Sequence, residues 1–118
     1  MTMSNQFPEV GLANVPARDS GLPGGIVVFA SNEGAGASNP RIQVSNIRGR
    51  LGYAGDTFSV GVSDAPIVLE GAGTPRCFSV GKLNAVFSWV VLNKQVLLEY
   101  WASENYSTRA FLGDLRSL

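Results

Sequence analysis

Residues 85–102 read AVFSWVVLNKQVLLEYWA, and the fold expected of the whole chain follows from how this densest apolar stretch is read. As a helix, it needs its polar residues on one face at a period near 3.6. Those residues are Ser88, Asn93, Lys94, Gln95 and Glu99, and the consecutive run at 93–95 does not describe a helical face. As a hairpin, Asn93 and Lys94 become a two-residue turn. Leu92 then pairs with Gln95, Val91 with Val96, Val90 with Leu97, Trp89 with Leu98, and Phe87 with Tyr100. Side chains alternate across a strand, so Phe87, Trp89, Val91, Val96, Leu98 and Tyr100 form one wholly apolar face. On the other face Ser88 meets Glu99. Aromatic and β-branched residues suit strands. The turn requires positive φ at both central positions, which asparagine tolerates better than lysine. The pattern favours a hairpin over a buried helix.

Outward from this stretch, short apolar runs alternate with glycine-, serine- and proline-rich punctuation. Residues 26–30, IVVFA, read as a strand buried on both faces. Residues 31–40 are a polar, glycine-rich loop. Residues 41–47 alternate, with Ile42 and Val44 on one side and Arg41, Gln43 and Ser45 on the other. Residues 57–62 alternate again through Phe58, Val60 and Val62. Further strands are expected at 67–69, 76–80 and 108–112. The total is about eight or nine strands with turn signals every eight to twelve residues or so. This predicts an all-β fold, a single antiparallel β-sandwich of jelly-roll-like form or a barrel. No helical crossover separates the strands, so antiparallel pairing is expected.

Residues 1–25 differ from the rest. Phe7-Pro8, Val15-Pro16 and Leu22-Pro23 place an apolar residue before each proline, which disfavours helix and removes ladder donors. The segment reads as an extended N-terminal arm ahead of a β-sandwich domain over 26–118. It is either a solvated tail or an arm lying on a neighbouring subunit, with Phe7, Val10, Leu12, Val15 and Leu22 as anchors.

At 118 residues the chain suggests one domain with its own core. Nine Lys and Arg balance nine Asp and Glu, so the basic excess that nucleic-acid binding requires is missing. There is no histidine, which removes the usual general base and the commonest metal ligand. Cys77 is the only cysteine, so no intrachain disulfide forms, and without a base it reads as a small buried hydrophobe rather than a nucleophile. The start lacks the pattern of a signal peptide, and no run is long enough to span a membrane. The glycine-rich loop at 31–40 leads into Pro40 and a strand, not into the helix start of a phosphate loop. Carboxylates come singly, without the paired acids of a glycosidase or the spacing of a calcium loop. No enzyme activity, catalytic residue, cofactor or metal is expected.

Arg48 and Arg50, two apart and near Arg41, form the only local basic cluster. They read as a charged strand edge that blocks unwanted pairing, or as a partner contact through bidentate guanidinium bonds. The arm, the sparse charge and the apolar content together predict a structural or assembly protein that self-associates. The expected partner-binding residues are Phe7, Val10, Leu12, Val15, Leu22, Arg48 and Arg50. A small β-sandwich with a proline-rich arm resembles virion components such as phage capsid, decoration or tail proteins. The resemblance implies a homo-oligomer located in the virion, or docking on a larger shell, with no nucleic-acid or membrane partner. The alternative is a carbohydrate- or peptide-binding β-module, cytoplasmic in location, that uses the loops at 31–40 and 70–75.

Overall fold

The stretch at 85–102 is helical in the computed structural model, which describes residues 12–31, 39–47, 56–70, 73–76, 78–103 and 105–118. The hairpin expected there is replaced by α2 (Val80–Leu92) and α3 (Lys94–Ala102), which meet at Asn93. Ser79 starts α2 as an N-cap whose hydroxyl accepts from the Lys82 N–H at 3.1 Å. Val86, Trp89 and Val90, then Asn93, Leu97, Tyr100 and Trp101, are the buried positions, and they recur at three- and four-residue steps across the junction. Asn93 leaves helical geometry, with φ −108° and ψ 15°. The i to i−4 bonds still run through it, from Asn93 N to Trp89 O at 3.0 Å and from Leu97 N to Asn93 O at 2.9 Å. A last helix, α4 (Thr108–Asp114), replaces the strand expected at 108–112. Its N-cap, Ser107, accepts from Ala110 N–H at 3.1 Å.

Beneath the helices lies a four-stranded antiparallel meander in the order β1-β2-β3-β4. The strands are β1 (Leu12–Val15), β2 (Val28–Ser31), β3 (Arg41–Ser45) and β4 (Thr57–Gly61). Register explains the two faces. Ala13, Ala30, Ile42 and Val60 form one cross-strand row, and Val15, Val28, Val44 and Phe58 the next. All eight are buried and share one core with Val86, Trp89, Leu97, Tyr100 and Phe111 of the helices. The opposite face carries the row Asn14, Phe29, Gln43 and Ser59. There Gln43 Nε2 donates to Ser59 Oγ at 2.8 Å, and Thr57 Oγ1 donates to Gln43 Oε1 at 3.3 Å. The outer row mixes polar Asn14, Gln43 and a buried Ser59 with a half-buried Phe29, whereas both inner rows are wholly apolar. Val68 bridges Val60 and extends the β4 edge, where the short strand at 67–69 was expected.

The fold is therefore mixed α/β, a small antiparallel sheet covered by helices. The all-β reading, whether β-sandwich, jelly roll or barrel, is overturned by the helical assignment of 80–102 and 108–114. The expected strand at 76–80 also fails, because Ser79 and Val80 open α2.

Within the segment read as an arm, residues 12–25 belong to the folded unit. β1 is an edge strand of the sheet, and residues 16–27 turn the chain back onto it. Short α1 (Ala17–Ser20) ends on Gly21 in the left-handed region at φ 77°, and a 3-10 turn follows at Pro23–Gly25. Gly21 is required for a second reason. A Cβ there would lie 2.6 Å from Ser117 Oγ and 2.9 Å from Leu118 O. The C-terminal tail occupies that space, and Leu118 N donates to Ser20 O at 2.8 Å.

Candidate functional site

Side chains of α2 and α3 that point away from the core make the first candidate surface. Val91 and Leu92 are 45% and 42% exposed at the end of α2. Val91, Gln95, Leu98 and Ala102 follow one another at steps of four, three and four, the spacing of a stripe along one helical face. Leu98 is half-buried and the other three are exposed. Along this stripe Lys94, Gln95, Leu98, Glu99 and Ala102 line an open groove of about 340 Å³. Lys94 Nζ is held 2.9 Å from Asp64 Oδ1, whose side chain is largely solvent-exposed, so the pair orients Lys94 more than it stabilises the fold.

Where the 3-10 turn, the end of β3 and the start of α2 meet, a second and more enclosed cleft of about 240 Å³ opens. Arg76 and Lys82 give it cationic walls, Ile26 and Phe78 line it with apolar surface, and Gly24, Ser45 and Asn46 complete it. The Asn46 carboxamide fixes one wall: its Nδ2 donates to Thr74 O at 3.0 Å and its Oδ1 accepts from Arg76 N at 2.7 Å. Arg76 Nη2 sits 2.6 Å from Asp56 Oδ1. Gly24, at φ 67°, leaves room for Lys82, since a Cβ there would lie 2.9 Å from Lys82 Cε.

The third surface is an open groove of about 580 Å³ where α3 passes into α4, lined by Glu99, Ala102, Ser103, Asn105, Tyr106 and Asp114. Tyr106 is the aromatic residue of its lining, and it rests on two buried rings behind it. Tyr100 stacks on Phe111 with centroids 4.0 Å apart, and Tyr106 stands edge-on to both rings. Tyr106 donates its hydroxyl to Asp114 Oδ2 at 2.5 Å. Burial, that hydrogen bond, and the negative charges of Asp114 and Glu99 push the Tyr106 phenol up to about 12. At neutral pH it is therefore a fixed donor, not a nucleophile or base. Among the described residues no group of three or more His, Cys, Asp or Glu comes together as metal ligands would. No helix among them is long and apolar enough to cross a membrane.

Comparison with protein-family models, curated proteins and solved structures finds no match. The functional reading therefore rests on the geometry of these surfaces.

Of the expected partner-binding residues, Phe7, Val10, Arg48 and Arg50 lie outside the described residues, as do Cys77 and most of the loop at 31–40. Leu12 lies on β1, paired in register with Ser31. Val15 and Leu22 are 1% and 4% exposed and take part in the chain's own core, so their side chains are not offered to a neighbour. The helical stripe at 91, 95, 98 and 102 was missed because the hairpin reading put Val91 and Leu98 on an inward face. A heptad-like count of residues 86–102 carries the signal, since the buried and exposed positions both recur at helical steps.

Proposed function

We propose that this protein is a structural, self-associating module whose interface is the outer face of α2 and α3, with a second copy of the chain as the occupant. The observation that carries the reading is the exposed stripe Val91, Gln95, Leu98 and Ala102. Its steps read the same in both directions. When two copies of the stripe pack antiparallel, Val91 of one copy meets Ala102 of the other, and Gln95 meets Leu98. Large then faces small at both ends, which is how antiparallel helices interdigitate. The pairing is also isologous, the commonest symmetry of homo-oligomers. Adjacent exposed Val91 and Leu92 add apolar surface that association would remove from water.

The virion reading leaned on a β-sandwich with an arm. With the sandwich gone, self-association is the part that the helical face supports.

Sedimentation velocity over a wide concentration range tests the proposal. The intact chain is expected to sediment as a dimer, and the pair of substitutions Val91→Glu and Ala102→Glu, which sets like charges against each other at both ends of the antiparallel pairing, to give a monomer with unchanged helicity and melting temperature. Both positions are exposed in the single chain, so a folding defect is not expected. A wild-type chain that stays monomeric at high concentration, or a doubly substituted chain that still dimerises, overturns the reading.

A further inference from the structure

The cleft between the 3-10 turn and α2 is separate from the helical stripe, and self-association does not use it. Its two cationic side chains come from different elements. Lys82 belongs to the first turn of α2, and Arg76 to the extended segment before it. Asp56 already neutralises Arg76 through Nη2, whereas Lys82 forms no ion pair among the described residues. The local balance is one unmatched positive charge, with the remaining Arg76 N–H groups still able to donate. Ile26 and Phe78 supply apolar surface beside these donors. At about 240 Å³ the cleft lies below the range that holds drug-sized ligands.

From this combination we infer a binding site for a small organic monocarboxylate. The carboxylate lies between Lys82 and Arg76, and an apolar or aromatic body rests against Phe78 and Ile26. One unmatched charge fits a monoanion better than a phosphate dianion, which would keep an uncompensated charge in a partly enclosed cleft. The apolar wall disfavours a bare inorganic ion, which gains nothing from Phe78. Asn46 is a positioning residue: both ends of its carboxamide are engaged by the backbone at Thr74 and Arg76, and it holds Arg76 at the wall.

Benzoate titrated into the full-length, isotope-labelled chain tests the inference by amide NMR, with benzamide as its uncharged isostere and inorganic phosphate as the third probe. Benzoate is expected to give saturable shifts at Gly24, Phe78 and Lys82, at least tenfold tighter than benzamide. Lys82→Gln is expected to weaken benzoate about tenfold while the rest of the spectrum is retained, the scale of losing one charge-assisted contact. Asn46→Ala, which keeps both cationic side chains in the sequence but releases the backbone of Arg76 from the wall, is expected to weaken it less. The site is refuted if benzoate gives no saturable shifts there, or if benzamide or the Lys82→Gln variant responds equally. Tighter binding of phosphate than of benzoate overturns the carboxylate assignment.

Discussion

Asn46 and Asn93 do the same work in opposite surroundings. Each uses both ends of its carboxamide to hold a segment with no strand or helix of its own. Asn46 bonds Thr74 O and Arg76 N at 3.0 and 2.7 Å, and Asn93 bonds Arg116 O and Arg116 N at the same two distances. Asn93 is 1% exposed and also donates to Trp89 O at 3.1 Å, whereas the bonds of Asn46 are open to water. A net hydrogen bond is worth about 0.5–1.5 kcal/mol, but leaving a buried group unsatisfied costs about 1–3 kcal/mol. Water replaces the lost bonds of Asn46 and cannot easily replace those of Asn93. The same residue type therefore serves as a structural rivet at the helix junction and as an adjustable wall at the cleft.

The largest expected effect lies directly beneath the buried rivet. Trp89 is fully buried, and its Nε1 is the buried side-chain polar atom without a hydrogen-bond partner among the described residues. Trp89→Ala is expected to cost about 3–5 kcal/mol in denaturant titration. Trp89→Phe keeps most of the ring and removes the orphaned donor, so its cost is expected below about 2 kcal/mol. A Phe variant as damaged as the Ala variant would mean that the indole N–H is satisfied.

Next comes the rivet itself. Asn93→Ala strips the partners from both backbone groups of Arg116 and is expected to cost about 2–3 kcal/mol. It should also raise hydrogen exchange at Arg116 and Leu118, because the tail loses its hold beside Ser20. Asn46→Ala is expected to cost less than about 1 kcal/mol. Equal losses at the two positions would break the contrast between them.

The smallest effect is one of pH. Tyr106 ionises near 10 in the unfolded chain and near 12 when folded, so the unfolded state releases its proton first. This contribution is fully present below pH 10 and is lost as pH rises towards 12. Tyr106→Phe is expected to flatten that part of the stability profile and to leave the slope at neutral pH unchanged. A profile in the variant that falls just as steeply between those pH values would show that Tyr106 carries none of it.

Strands β2, β3 and β4 were legible in the sequence, whereas β1, inside the segment read as an arm, and the helical layer were not, and for the helices the same asparagine shows why. In the sheet, Ile42 and Val44 against Arg41 and Gln43, and Phe58 and Val60 in β4, obey a two-residue alternation because one face is apolar and the other polar. In α2 and α3 both faces break the helical rule. A polar Asn93 is buried because backbone groups of the tail satisfy it, and apolar Val91 and Leu92 are exposed. Its sequence neighbours Lys94 and Gln95 then completed an apparent turn. Ser79 and Ser107 were readable as N-caps, and weighing them would have marked the start of α2 and of α4. Of the candidate surfaces, the stripe on α2 and α3 depended on the helical reading and was lost with it. The cleft joins Gly24, Asn46, Arg76 and Lys82 from four separate segments, a proximity that only tertiary structure creates.

The central claim is that Asn93 is a buried pivot within a helical path, not the tip of a hairpin. Hydrogen exchange of the two carboxamide groups, resolved by NMR in one sample, tests it directly. The Asn93 side-chain amide is expected to exchange only on extensive unfolding, with Leu97 N–H protected alongside it, while the Asn46 amide exchanges freely. Rapid, equal exchange at both asparagines, with an unprotected Leu97, would contradict the account.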